Sequence, residues 1–252
     1  MMLYVSPSTF PHLRTISNGA LLLIMMVLSM PIPCQSAEYA TEIWNKVYTN
    51  GDWNNAYGIA ADESGGVFVG GTTISATDFT SVGRIIKYDN SGNIVWNRTC
   101  CGGHDTFYSI AVDSSGSIYA AGDSFIIGEP DLLVAKFDTS GNRIWSKTYD
   151  SGVRDTAYGV AVDTSGSVYA AGLSLTFGNA DIETVKFDPS GNMEWAKFIN
   201  NGMYEYAMGV ATDTTGGVYV TGTSLGYFST FKYDDSGNLL WSMTFDGGTS
   251  GI

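Results

Sequence analysis

Five of the six tryptophans recur at nearly constant spacing: Trp44, Trp96, Trp145, Trp195 and Trp241 lie 52, 49, 50 and 46 residues apart. Self-similarity at such a period confines a chain to stacked or radially arranged units, because one unit cannot bury its apolar faces alone. The residues between the tryptophans repeat in register. Gly58-Ile-Ala-Ala-Asp62, Ser109-Ile-Ala-Val-Asp113, Gly159-Val-Ala-Val-Asp163 and Gly209-Val-Ala-Thr-Asp213 are each followed by a short turn and a second apolar run, beginning at Val67, Ile118, Val168 and Val218. A Lys-aromatic-Asp segment then leads into a Ser-Gly-Asn turn and the Trp run, at Lys87-Tyr-Asp89, Lys136-Phe-Asp138, Lys186-Phe-Asp188 and Lys232-Tyr-Asp234.

Short runs rich in Val, Ile, Tyr, Phe and Trp between Gly and Asp clusters predict four antiparallel strands per unit. The expected fold class is all-β: a β-propeller of four blades at approximately 57–99, 107–149, 157–199 and 207–246, within a repeat domain spanning 41–252. The repeated pieces resemble the SBBP-type extracellular β-propeller repeat and, more loosely, NHL-type repeats, over about residues 41–246. Such repeats occur in surface proteins of differing role, so the resemblance implies a fold and an exterior setting more than an activity. It implies that the Gly-x-Ala-x-Asp strand lies innermost, with small Ala60, Ala111, Ala161 and Ala211 near a crowded axis, and the Trp strand outermost. The indoles then pack between blades, each worth on the order of 4–6 kcal/mol as an upper value for complete burial.

Trp strands outnumber inner strands, because residues 42–48 around Trp44 have no blade of their own. This spare outer strand predicts an incomplete propeller: a truncated chain, or one that shares strands with a partner in an oligomer. A four-blade ring with an unpaired edge is the alternative, and such an edge invites aggregation.

The first 36 residues read as a signal peptide. Arg14 precedes an apolar run from Ala20 to Met30, then Pro31 and Pro33, then small residues at Ser36 and Ala37. Cleavage after Ser36 is preferred to cleavage after Ala37, with a lipid-anchored Cys34 and an uncleaved anchor as rivals, the last being the sole membrane attachment expected. The expected location is secreted or cell surface. With 12 Lys and Arg against 25 Asp and Glu, the net charge of −13 opposes nucleic acid as a partner. Cys100 and Cys101 are adjacent, which is poor geometry for bridging one another, and no disulfide framework is expected.

Eight turns begin with Asp62, Asp89, Asp113, Asp138, Asp163, Asp188, Asp213 and Asp234 and supply a glycine for a left-handed turn position. They read as structural turns on one end of the propeller. A ring of Ca²⁺ sites is the alternative, disfavoured because each turn offers one carboxylate, and no other cofactor or metal is expected. The opposite end carries the connections that vary between units. There Tyr57, Tyr108, Tyr158 and Tyr206 read as packing residues, and Trp53, His104, Asp105, Arg154, Asp155, Tyr204 and Glu205 as candidate ligand contacts. Catalytic patterns are thin: His104 is the one histidine outside the signal segment, and Cys100-Cys101-Gly-Gly-His104 matches no zinc spacing. The function expected is a non-catalytic binding or scaffold module for carbohydrate or a surface protein. An extracellular carbohydrate-active hydrolase or lyase using acids of the variable end is the alternative.

This division between packing and rim residues predicts that Trp145→Ala lowers the melting temperature strongly while His104→Ala leaves it nearly unchanged. Comparable losses in thermal melts of the two variants would refute the division.

Overall fold

The computed structural model describes residues 44–125, 128–176 and 179–247. The expected signal segment, and residues 42 and 43 of the spare strand, lie outside the described residues. Among those, sixteen strands form four four-stranded antiparallel sheets, each a meander in chain order, with no helix. Blade 1 holds β1 (Trp53–Ala61), β2 (Val67–Ile74), β3 (Ser81–Tyr88) and β4 (Ile94–Cys100). Blade 2 holds β5 (His104–Val112), β6 (Ile118–Phe125), β7 (Asp131–Phe137) and β8 (Arg143–Tyr149). Blade 3 holds β9 (Arg154–Val162), β10 (Val168–Thr176), β11 (Asn179–Phe187) and β12 (Met193–Ile199). Blade 4 holds β13 (Tyr206–Thr212), β14 (Val218–Ser224), β15 (Tyr227–Tyr233) and β16 (Leu239–Phe245).

The first strands β1, β5, β9 and β13 pack on one another in sequence, and each of the last three also meets the sheet of the preceding blade. This is the radial arrangement of a propeller. The crowding at the axis falls two residues before the expected alanines, and Ala211 is exposed. It falls on the residue that opens each repeat: a Cβ on Gly58 would lie 2.9 Å from the backbone of Ser109 and Ile110. The Ser109 hydroxyl accepts the Val160 N–H at 3.2 Å across the next junction.

Each junction between blades is an apolar layer. Phe68, Ile85 and Trp96 of blade 1 meet Phe107, Ile118 and Phe137 of blade 2. Tyr119, Leu132 and Val134 meet Val168, Val185 and Phe187, and Tyr169 and Ile182 meet Val218, Phe231 and Tyr233. The repeated tryptophan seals the outer edge. Its ring lies on the turn glycine of the following blade, where a Cβ would come within 2.9 Å for Trp96 on Gly141, 2.8 Å for Trp145 on Gly191 and 2.9 Å for Trp195 on Gly237. The indole N–H donates to a carbonyl of the same turn: Trp96 to Thr139 at 3.2 Å, Trp145 to Pro189 at 3.2 Å and Trp195 to Asp235 at 3.0 Å. Residues 44–48 belong to no sheet, but Trp44 takes the same seat on Gly92, within 2.8 Å of a Cβ there.

The other repeated letters serve the same face. The lysine of each Lys-aromatic-Asp segment lies over the aromatic ring directly opposite in the second strand: Lys87 over Phe68, Lys136 over Tyr119, Lys186 over Tyr169 and Lys232 over Tyr219, at 4.8, 5.1, 5.6 and 4.7 Å. The hydroxyls of Tyr119, Tyr169 and Tyr219 donate to the second oxygen of Asp113, Asp163 and Asp213. Blade 1 has Phe68 instead of tyrosine; Lys87 reaches Asp62 at 3.4 Å there, as Lys232 reaches Asp213 at 3.6 Å in blade 4.

Cys100 and Cys101 are joined in a vicinal disulfide, contrary to the expectation drawn from their adjacency. Alternation along a strand would separate the two side chains. Cys101, with φ at 78°, leaves the strand conformation at the end of β4 and breaks that alternation.

Glycine at the turn therefore answers two demands at once, a left-handed φ and room for an indole. Gly191 (φ +83°) has Trp145 above it, whereas Gly102 (φ +86°) has open space. Both alanine variants pay the left-handed cost of about 1–2 kcal/mol, and Gly191→Ala is expected to cost at least about 1 kcal/mol more, from displacing the ring. Urea unfolding of the pair measures the difference.

Candidate functional site

All eight Asp turns lie at one end of the sheets. In each, one carboxylate oxygen accepts the backbone N–H four residues on, from Gly66, Asn93, Ser117, Asn142, Ser167, Asn192, Gly217 and Asn238. In the Ser-Gly-Asn turns the asparagine amide binds the other oxygen, and the two bonds hold Asp89, Asp138, Asp188 and Asp234 below the ordinary carboxylate range. These oxygens are occupied by their own turns. Among the described residues no three His, Cys, Asp or Glu side chains converge as metal ligands.

The opposite end collects the loops that enter each first strand and the β2–β3 type hairpins. Pairing registers align the first strands position by position. At the leading position stand Trp53, His104 and Arg154, and Tyr204 holds the matching place in the repeat two residues ahead of β13. Trp53 is 56% exposed and tilts against Phe79, centroids 5.6 Å apart. His104 is exposed, 6.2 Å from the Phe125 ring, and its Nδ1 accepts the Ser81 N–H at 3.3 Å. Arg154 reaches inward to Asp123 at 3.9 Å, and Tyr204 is 63% exposed.

The next position behaves differently. Asp105, Asp155 and Glu205 are fully buried, which corrects their expected place among surface contacts. Each accepts a backbone N–H from the loop entering its own strand: Gly103 at 3.2 Å, Ser151 at 2.7 Å and Asn201 at 2.8 Å. In blade 1 the amide of Asn54 does related work, donating to the Asn50 side chain and the Asp52 carbonyl. A polar group repeated in register is thus a loop anchor, while the position beside it varies and is exposed at Trp53, His104 and Tyr204.

Three residues further on, every first strand bulges, at Tyr57, Tyr108, Tyr158 and Met208. The three tyrosine rings follow one another at 5.2 and 5.4 Å across the blades. Met208, not Tyr206, is the fourth member, since Tyr206 precedes the bulge. Burial and the neighbouring Asp123 charge push the Tyr108 hydroxyl up to about 12. Asp123 itself is almost buried; desolvation raises its pKa against the Arg154 guanidinium, and the Thr156 hydroxyl donates to it at 3.4 Å.

Sequence patterning placed variable connections, Asp78 and Tyr227 among them, between the middle strands at this end but did not single out Phe79 and Leu225. Phe79 (φ 60°) and Leu225 (φ 55°) hold left-handed conformations that bulky residues rarely adopt, yet they are 62% and 41% exposed. Tyr227 and Phe228 beside Leu225 are exposed as well. The one signal in the sequence is that these residues fall where the repeat loses its register.

No family model matches the chain, and no curated protein does. Solved structures are similar to the chain at low identity. Sqt1 from Chaetomium thermophilum is 13% identical over 74% of this chain and 46% of that one, with a TM-score of 0.45. A Synechocystis apocarotenoid oxygenase variant is 12% identical over 79% of this chain and 51% of that one, also at 0.45. The chain spans about half the length of each.

Near the rim, between blades 2 and 3, lies a further acid. Glu183 is fully buried, and neither carboxylate oxygen meets a hydrogen-bond donor among the described residues. It occupies the position of Leu133 in blade 2, both opposite a glycine. Burial, with the Asp155 charge added, pushes its pKa up to about 9 from 4.5. The folded state thus keeps a proton that the unfolded chain releases above 4.5, so this residue subtracts stability as pH rises until the folded carboxyl ionises near 9. Glu183→Leu is expected to raise stability by at least about 1 kcal/mol at neutral pH, more at pH 9 and least at pH 4, as read from unfolding midpoints across that range.

Proposed function

We propose that the chain is an exported SBBP-type propeller module that binds without catalysis, holding carbohydrate or a surface protein on the variable rim. The observation that carries this reading is the display of bulky apolar side chains at that end: Trp53 against Phe79, Tyr204, and Leu225 at a loop tip, with two of them in left-handed backbone. Aromatic faces of this kind stack on sugar rings or fill pockets of a protein partner. The acids Asp105, Asp155 and Glu205 sit below, engaged with their loops, which supports binding over acid–base chemistry. The hydrolase alternative rests on one feature, the approach of Arg154 to Asp123 beneath the rim.

Glycan-array and surface-protein binding assays test the proposal. Trp53→Ala and Tyr204→Ala are each expected to weaken binding at least about tenfold with unchanged melting temperature. Binding indifferent to both variants would sink it. Hydrolysis of a glycoside abolished by Asp123→Asn would favour the alternative.

A further inference from the structure

The first and last blades each leave one face uncovered among the described residues, and the two faces carry the two halves of the junction chemistry. On blade 1, Ala56, Ile59, Val67, Val69, Ile86 and Tyr88 hold the positions that Phe107, Ile110, Ile118, Ala120, Ala135 and Phe137 hold in blade 2. Ile110 is 7% exposed against blade 1, whereas Ile59 is 70% exposed. The face lines a cavity of about 340 Å³, with Trp44 and Tyr48 along its outer edge. On blade 4, Tyr219, Phe228, Trp241 and Phe245 hold the positions of Tyr169, Ile182, Trp195 and Ile199. Tyr169 and Ile182 are buried against blade 4, whereas Phe228, Trp241 and Phe245 are 65%, 43% and 66% exposed.

We propose that these faces form one interface, and that a second copy of this chain docks head to tail, blade 4 of one copy on blade 1 of the other. The three internal junctions supply the template, because each already joins a trailing face of the blade-4 kind to a leading face of the blade-1 kind. Trp241 takes the seat on Gly92, its indole N–H directed at the Asn90 carbonyl as Trp195 donates to Asp235. Trp44 occupies that seat in the single chain and is displaced. The basic side chains Lys46 and Arg84 border the leading face and none of its lining residues is acidic, so docking buries no acid there. The contact is heterologous, since the two faces differ, and it is independent of the rim.

The test is the mass of the purified full chain by light scattering across a dilution series. Association to at least twice the single-chain mass is expected, with Ile59→Asp and Trp241→Asp each weakening it at least about tenfold. Both side chains are exposed in the single chain, so both variants should melt as the parent does, and Phe245→Asp serves if Trp241→Asp does not. The decisive arm mixes Ile59→Asp with Trp241→Asp. The first retains an intact blade-4 face and the second an intact blade-1 face, so the mixture recovers one good junction and a two-chain mass. Trp44→Ala is expected to tighten association. A chain that stays monomeric throughout, or a mixture no better than either variant alone, overturns the proposal.

Discussion

An indole lying on a glycine holds this molecule together. The ring can sit flat on the next blade's turn because that residue has no Cβ, and the same glycine carries the left-handed φ that closes the hairpin. One residue therefore answers to the turn and to the junction, and the indole N–H adds a hydrogen bond to a carbonyl of the same turn. Because each junction involves neighbouring blades alone, cohesion is a chain of similar nearest-neighbour terms. The lysine over the aromatic ring and the tyrosine hydroxyl on the turn aspartate stiffen the face that presents the indole, so the repeated letters are parts of one contact surface.

The two ends of the sheets are chemically distinct for the same reason. At the turn end, carboxylates are spent on their own backbone, which leaves few groups for a ligand. At the other end, a buried acid anchors the loops entering blades 2, 3 and 4 and Asn54 does so in blade 1, while the residue beside the anchor differs: indole, imidazole, guanidinium or phenol. Strain is concentrated there, in Phe79 and Leu225. A rigid base with anchored but variable loops is the common construction of a binding surface.

The strand order, the turns and the junction role of Trp96, Trp145 and Trp195 were legible in the text because each is a local or strictly periodic demand, whereas Trp241 lies exposed on blade 4. The site was legible in part. Trp53, His104 and Tyr204 lie on the rim as a reading of variable positions suggested, while Asp105, Asp155 and Glu205 lie beneath it. Their recurrence in register was the available signal, and it pointed to a structural duty. Tyr206 stands two positions before Met208, the residue that matches Tyr57, Tyr108 and Tyr158 in the register of Gly58, Ser109, Gly159 and Gly209, and the bulge recurs at that matched position in every first strand. The bridge between Cys100 and Cys101 was hidden because one left-handed residue at a strand end cancels the alternation that keeps neighbours apart.

The sequence by itself determined the units: four strands in each, the hairpin turns, and the packing of indoles between blades, all set by the pleat and by residue size over short distances. Tertiary structure alone decided which acids are dry, where the axis is tight, that Glu183 takes a leucine's place with no donor for either oxygen among the described residues, and which faces those residues leave open. Those outcomes depend on the distance between atoms far apart in the chain, and burial and charge act through that distance, which no repeat length encodes.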